Sequence, residues 1–176
     1  MFQDKDLNVV FLRNTEGLGP GATRNYGIKY SYNPYIFFLD FDDEFFSPNT
    51  LEKVYNTAIN FSADSVFGNR IEDKSRKLLE AEDVLVRRKF IEENNILYGE
   101  WSCHEDKYFQ ESVKIESKRK IIMGDPVVIY NTIFINKISN TMYCREIAFN
   151  KIYANYKLVE RFYLNQNIGQ ISMKLI

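Results

Sequence analysis

The sequence predicts an α/β domain in which helices flank a mostly parallel sheet, and two observations lead to this class. Apolar runs typical of buried strands occur at residues 7–12, 35–39 and 63–68. Segments with helical spacing lie between them, at residues 20–32 and 48–59. Strands that alternate with helices are typical of a parallel sheet, because each helix returns the chain to the same end of the sheet.

The first predicted strand, residues 7–12, is followed by a glycine-rich turn and a helix. Residues 17–21 contain three glycines, which suit a sharp turn or the close approach of a ligand. Pro20 favours the first turn of a helix, which should end before Pro34. The N-terminus of that helix is a candidate anion site, with Arg24 one turn inside it. An ordinary glycine-rich loop is the alternative.

The second apolar run, residues 35–39, leads directly into a cluster of carboxylates. If the chain stays extended, Asp40 and Asp42 point to the same side, because side chains alternate along a strand. Carboxylates held close together repel each other, and a divalent cation relieves that repulsion. In open α/β sheets, ligands bind beyond the carboxyl ends of strands. The motif therefore predicts a metal-assisted site for a phosphate-bearing ligand, with an acidic, solvated turn as the alternative.

Later segments continue the pattern of strands and helices. Ser47 and Pro48 suit the N-cap and first position of a helix whose apolar stripe runs from Leu51 to Ile59. The remaining predictions are an irregular surface segment at residues 69–82, a helix at 85–95, strands at 113–122 and 126–135, and a helix at 146–163.

Composition excludes several functional classes. The chain has 176 residues, enough for one domain with an appended tail, and its net charge of −1 gives no nucleic-acid footprint. Cys103 and Cys144 have no zinc-site or disulfide spacing, so we expect reduced thiols in a cytoplasmic protein. The polar start is unlike a secretory signal, and no apolar run approaches the roughly 20 residues that span a bilayer.

Four segments resemble, in order and spacing, the family 2 glycosyltransferases of the GT-A fold. Residues 14–25 are similar to the N-x-G-x-[GA]-x-A-R-N motif of that family. Residues 35–43 resemble its strand and D-x-D-D metal motif, and residues 51–68 resemble the helix and strand that follow. Residues 88–109 resemble the acceptor-side segment, which ends in a Glu-Asp pair.

The resemblance implies transfer of a sugar from a nucleotide-sugar donor to an acceptor hydroxyl. Asp40 and Asp42 would contact the donor and hold Mg²⁺ or Mn²⁺, with Asp43 in support. The ion would offset the charge of the diphosphate as it leaves. Asp106 would be the general base, with Glu105 beside it, and a base there suits inversion at the anomeric carbon. The sequence specifies neither the donor sugar nor the acceptor.

The resemblance also assigns the donor pocket and shows two departures. Gly19, Arg24 and Asn25 would shape the nucleotide pocket together with Asp40, and Thr23 stands where the family usually has Ala. The family begins with two further βα units that grip the nucleobase, and their equivalents are missing here.

We therefore expect an N-terminally truncated GT-A-like domain over residues 1–135 and a helical tail over residues 136–176. Such a domain has an exposed sheet edge, which a second copy or another chain would cover with the missing strands. The alternatives are that the sequence is a fragment of a longer gene product or that the domain has been reused without activity.

Two alternatives assign a different function to the chain. The exposed edge favours a catalytically incomplete domain that serves as a structural or assembly subunit, although retention of the five carboxylates argues against it. A phosphatase of the haloacid dehalogenase type also places D-x-D after an apolar strand. Those enzymes need a small hydroxyl residue two positions after the second Asp, where this chain has Glu44.

Overall fold

A mixed β-sheet with helices on both faces forms the described part of the protein. The computed structural model describes residues 10–14, 16–101, 104–131, 153–154, 157–158 and 161. Its elements in chain order are α1 (Gly19–Tyr30), β1 (Tyr35–Phe37), β2 (Glu44–Phe45), α2 (Thr50–Asn60), β3 (Ser65–Glu72), β4 (Leu78–Arg87), α3 (Arg88–Glu93), α4 (Glu105–Glu116) and β5 (Lys120–Tyr130).

The α/β class is confirmed, but the prediction of a mostly parallel sheet is wrong for the described strands. The strand order is β1-β4-β3-β5-β2, and only β3 and β5 are parallel. The pairs β1/β4, β3/β4 and β2/β5 are antiparallel. A short turn joins β3 to β4, and so short a connection permits only antiparallel pairing. Among the described strands, β1 lies at one end of the order and β2 at the other.

The β3–β4 hairpin replaces the irregular surface segment predicted at residues 69–82. β3 runs four residues beyond the predicted end of its strand, and β4 begins at Leu78. Charged residues are tolerated because Arg70 on β3 forms an ion pair with Asp83 on β4. The helix predicted at residues 85–95 is correct only over α3 (Arg88–Glu93), because β4 continues to Arg87 and a turn follows Glu93.

The two faces of the sheet pack against different helices. Adjacent β3 residues divide between the faces, because side chains alternate along a strand. Val66 packs with Val54 and Ala58 of α2, whereas Phe67 packs with Phe109 and Val113 of α4. Val113 thus belongs to α4, and the strand predicted over residues 113–122 begins only at Lys120, within β5.

Helix α2 begins later than predicted, with Asn49 rather than Ser47 at the N-cap position. Ser47 instead closes a turn before the helix, where its backbone N–H donates a hydrogen bond of 2.9 Å to Thr50 Oγ1. Only part of the predicted apolar stripe is buried, since Leu51 and Ile59 remain exposed. Leu51 lies instead in an open apolar groove beside the β1 edge.

Several predictions lie wholly or partly outside the described residues. They are residues 7–9 of the first strand, the end of the strand at residues 126–135, both cysteines, the helix at 146–163 and the boundary between residues 135 and 136. Residues 10–12 are described, and the prediction of a buried strand is wrong for them, since they form no strand and their side chains are exposed. Arg161 is described, and its guanidinium donates to Glu116 Oε1 of α4 at 2.8 Å. None of the described helices combines the length and apolar character needed to cross a bilayer.

Candidate active site

The acidic motif forms a turn beyond β1 rather than an extension of that strand. β1 ends at Phe37, and the Asp43 N–H donates to the Asp40 carbonyl oxygen at 3.1 Å. The expectation that strand alternation aligns Asp40 with Asp42 is therefore wrong, because the chain turns between them. Of the three carboxylates of this turn, Asp40 and Asp43 line a pocket together with Arg24, whereas Asp42 does not.

Asp43 is the buried member of this turn. Its Oδ1 accepts a hydrogen bond of 3.1 Å from the backbone N–H of Asn131, just after β5. Burial raises the pKa of Asp43, and the charges of Asp42 and Asp40 raise it further. A carboxylate in this position gains from a nearby cation, because a cation favours its ionised form.

Arg24 joins the acidic turn to the Glu-Asp pair at the start of α4. Its Nη2 lies 2.7 Å from Asp40 Oδ1, and its Nη1 lies 2.7 Å from Glu105 Oε1. The guanidinium also lies over the Tyr98 ring, 5.3 Å from the ring centroid. Burial lowers the pKa of Arg24, but pairing with the two carboxylates outweighs burial and raises it. Arg24 is therefore a fixed positive charge in the site.

Glu105 and Asp106 occupy the first turn of α4 with different surroundings. Glu105 is buried, whereas Asp106 is exposed to solvent. Burial raises the pKa of Glu105, with a further contribution from Asp106, and the hydrogen bond from Arg24 opposes the rise. Carboxylates are favourable at a helix N-terminus because of the helix dipole. The predicted base Asp106 is thus accessible, while Glu105 is held by Arg24.

Asn25 performs a task that the sequence did not indicate. Its side-chain amide donates to the Tyr98 carbonyl oxygen at 3.0 Å and accepts from the Tyr98 N–H at 2.8 Å. Gly21 allows α1 to lie close to this segment, because a Cβ at this position would lie 1.9 Å from the Gly99 carbonyl oxygen. Helix α1 thus packs directly against the segment before α4. The predicted contact between Asn25 and the donor stays a prediction.

Two connected cavities lie around Arg24 and Asp40. The inner pocket, about 40 Å³, is narrow. An outer groove of about 480 Å³ runs along the glycine-rich segment, and both cavities share Arg24, Phe38, Leu39 and Asp40. The other inner-pocket residues are Asp43, Arg70, Asp83, Val84, Tyr98, Asp106 and Gln110.

The outer groove is shaped by the segment that leads into α1. Gly19 has a φ of 78°, a conformation that favours glycine, and it begins the helix without a side-chain cap. Asn14 Nδ2 donates to Thr23 Oγ1 at 2.7 Å, and that hydroxyl donates to the Gly19 carbonyl oxygen at 2.7 Å. Thr23, the departure from the family motif, thus fixes this turn, and the uncapped helix N-terminus suits an anion.

Sequence reasoning missed four polar or aromatic residues of the inner pocket. Arg70 lies in the segment that was predicted as surface chain, and Asp83 lies directly after it. Tyr98 precedes the Glu-Asp pair, and Gln110 follows it. No motif marks them. The apolar start of β3, residues 66–67, was the available signal, and the charged second half of the strand concealed its extent.

The carboxylates suit a metal ion that a phosphate ligand helps to bind. No group of three or more His, Cys, Asp or Glu side chains within the described ranges could hold an ion unaided. Mg²⁺ is usually bound by one or two carboxylates together with substrate phosphates. The inner pocket has four aspartates and two arginines, so it carries excess negative charge. The residues therefore fit an ion that is shared with a diphosphate.

Two comparisons of the sequence with known proteins found matches. The sequence model described as glycosyl transferase family 2 matches residues 1–118. An uncharacterized glycosyltransferase of Methanocaldococcus jannaschii is 39% identical over 54 residues, which are 31% of this chain and 18% of that protein.

Solved structures of S. aureus TarS share the fold. For TarS 1–349 in complex with UDP-GlcNAc, the TM-score is 0.65 at 16% identity, over 84% of this chain and 54% of that one. For the complex with UDP, the TM-score is 0.65 at 14% identity, over 91% and 48% of the two chains. This likeness confirms the GT-A-like fold. The chain spans about half the length of these TarS structures.

Proposed function

The chain belongs to glycosyl transferase family 2, and we propose that it transfers a sugar from a nucleotide-sugar to an acceptor hydroxyl. The observation that carries this proposal is the double ion pair of Arg24. Through it, the acidic turn after β1 and the Glu-Asp pair of α4 meet in one pocket.

The donor would lie in the outer groove, with its diphosphate near Asp40. The groove is long and open, and the uncapped N-terminus of α1 lines it. Backbone N–H groups at a helix N-terminus attract phosphate. TarS has been crystallised with UDP and with UDP-GlcNAc, so nucleoside diphosphates are the first ligands to test.

Asp42, with Asp40 and Asp43, would share Mg²⁺ or Mn²⁺ with the diphosphate. The bound ion would neutralise charge that develops on the leaving group. Arg24 supplies a second positive charge at the same place and keeps Asp40 oriented. Asp43 anchors the turn to the end of β5 through the Asn131 N–H.

Asp106 would act as the general base for direct displacement. It would take the proton of the acceptor hydroxyl while that oxygen bonds to the anomeric carbon. The bond between the anomeric carbon and the diphosphate oxygen would break, and its electron pair would leave with the nucleoside diphosphate. Attack opposite the leaving group inverts the anomeric centre. Asp106 suits this task because it lines the inner pocket and is open to solvent.

Substitution of Asp106 by Asn tests this function. The amide keeps the shape of the side chain but cannot accept the proton, so transfer should fall by about 10²–10⁴-fold. Release of nucleoside diphosphate from UDP-sugars and GDP-sugars, over a panel of sugar and polyol acceptors, measures turnover. Binding of nucleoside diphosphate should be unchanged in Asp106→Asn. Equal turnover in both proteins would refute the role of Asp106, and no turnover with any donor would favour the structural subunit.

Two further expectations remain proposals. We propose a cytoplasmic location from the composition, and a partner chain or second copy at the β1 edge, where β4 is the one strand of the described residues that pairs with β1. Light scattering of the purified chain would show whether it forms an oligomer.

A further inference from the structure

A second arginine–aspartate pair faces the inner pocket from the β3–β4 hairpin. Arg70 Nη2 lies 2.6 Å from Asp83 Oδ1, and Arg70 Nε lies 3.1 Å from Asp83 Oδ2, so the contact is bidentate. Asp83 is buried, and the Arg70 guanidinium lies 5.1 Å from the centroid of the Tyr130 ring. A bidentate pair held in this way presents its polar atoms in a fixed orientation.

An irregularity in β3 helps to place Arg70. The register of β3 against β4 shifts between Gly68 and Arg70, and its register against β5 shifts on either side of Asn69. Asn69 Nδ2 donates to the Gly124 carbonyl oxygen at 2.7 Å, which fixes the backbone at this point. Bulges of this kind bend a strand and redirect a side chain, and they occur often beside active sites.

The position of the pair separates it from the nucleotide groove. Arg70 and Asp83 line the inner pocket together with Asp106 and Gln110, whereas none of these four lines the outer groove. A cavity of about 40 Å³ has room for a few water-sized groups and not for a nucleobase. Hydroxyl groups have that size, and they both donate and accept hydrogen bonds.

We propose that Arg70 and Asp83 form a clamp for hydroxyl groups of the sugar that is transferred. The inference rests on the proposed function, because it assumes that the diphosphate lies at Asp40. The Asp83 carboxylate accepts from one hydroxyl and the Arg70 guanidinium donates to a neighbouring one. Sites built to hydrogen-bond a substrate hydroxyl discriminate strongly against analogues that lack it. The pair would therefore select the donor sugar and leave the affinity for the nucleoside diphosphate unchanged.

The test compares nucleotide-sugars with the corresponding nucleoside diphosphates. Calorimetric titrations with Mn²⁺ would use UDP, GDP, UDP-GlcNAc, UDP-glucose, UDP-galactose and GDP-mannose. The main variant is the double substitution R70Q/D83N, which removes both charges and avoids leaving one buried and unpaired. The variant R70K keeps the charge but loses the bidentate geometry.

Arg87→Gln is the matched control. It removes a guanidinium from the same hairpin and breaks an ion pair with Asp64, at 2.7 Å, away from both cavities. Circular dichroism and thermal melting would establish that every variant is folded before it is titrated.

We expect one sugar nucleotide to bind wild type at least tenfold more tightly than its nucleoside diphosphate. R70Q/D83N should lose that preference, by about 10-fold to 100-fold, and should bind the nucleoside diphosphate as wild type does. R70K should lose part of this preference, and Arg87→Gln should retain all of it.

Three results would overturn the inference. Equal wild-type affinity for every sugar nucleotide and its nucleoside diphosphate would mean that no clamp contacts the sugar. A sugar preference that survives in folded R70Q/D83N would mean that other residues provide it. If R70Q/D83N does not fold, a sugar preference that R70K retains in full would lead to the same conclusion. Wild type that binds no nucleoside diphosphate would instead refute the proposed function on which the clamp depends.

Discussion

Arg24 and Glu105 form an ion pair of 2.7 Å although 81 residues separate them in the chain. The pair fixes α1 against the first turn of α4, and the same guanidinium contacts Asp40. Because Glu105 is almost completely buried, Arg24 is needed to compensate its charge. This contact therefore links the stability of the domain to the arrangement of the site.

Substitution of Arg24 by Gln should destabilise the domain. Loss of the guanidinium leaves Glu105 buried without its charged partner, so the free energy of unfolding should fall by about 1–3 kcal/mol. Urea denaturation followed by circular dichroism measures the change. The additional substitution of Glu105 by Gln should recover part of the loss, because it removes the uncompensated charge.

Lys89→Gln is the control for loss of a positive charge. Lys89 pairs with Glu93 at 3.6 Å on the exposed face of α3, so the effect should stay within about 0.5 kcal/mol. Equal losses in Arg24→Gln and Lys89→Gln would show that the ion pair of Arg24 has no special structural role.

Asp43 and Asp64 should give opposite pH dependences of stability. Burial raises the pKa of Asp43 above 3.8. The stability that Asp43 contributes to the folded state is therefore fully present at low pH, and it is lost as the pH rises through the raised pKa. Burial also opposes ionisation of Asp64, but hydrogen bonds from Arg87 and Arg119 outweigh it and lower the pKa below 3.8. Its contribution is present above 3.8 and is lost as the pH falls through the lowered value.

Asp43→Asn should therefore gain stability relative to wild type as the pH rises from 3.8 towards neutrality. Asp64→Asn should lose stability relative to wild type when the pH rises through the lowered pKa of Asp64. Urea denaturation over a pH series measures both differences. Slopes of the same sign for the two variants would contradict the assignment of burial to Asp43 and of ion pairing to Asp64.

Two glycines of α1 should respond differently to substitution by Ala. A Cβ at Gly21 would lie 1.9 Å from the Gly99 carbonyl oxygen, so α1 would have to move away from the segment that Asn25 holds. We expect Gly21→Ala to destabilise the domain by about 1–3 kcal/mol. Gly27 has no atom within 4 Å of such a Cβ, so Gly27→Ala should stabilise by about 0.5–1 kcal/mol. Thermal melting of both variants distinguishes them, and equal effects would contradict the tight packing at Gly21.

The sequence was informative where local chemistry determines local structure. Pro20 and the glycines before it predicted the start of α1, and the apolar run before Asp40 predicted a strand that ends at an acidic turn. The shape of that turn was not predictable, because it depends on the bond from Asn131 to Asp43 across 88 residues. Strand β4 was not predicted, because charged residues usually indicate a segment that is exposed to solvent. Here Arg70 and Asp83 neutralise each other across the hairpin.

The roles of Arg24 and Asn25 show the same limit. Both were predicted to shape the nucleotide pocket from their place in a motif. Their observed partners, Glu105 and the Tyr98 backbone, lie far along the chain and have no signature in sequence spacing. Long-range contacts of this kind depend on the packing of α1 against α4, which a single sequence does not reveal.

The most direct test of the account is calorimetric titration of the purified chain with UDP and GDP, with and without Mn²⁺. We predict binding that requires Mn²⁺ and that Asp42→Ala abolishes without loss of the fold. Asp125→Ala, which removes an exposed aspartate from β5, is the control and should bind as wild type does. Binding that persists in Asp42→Ala, or a folded wild type that binds neither nucleotide, would contradict a metal-dependent donor site at the acidic turn.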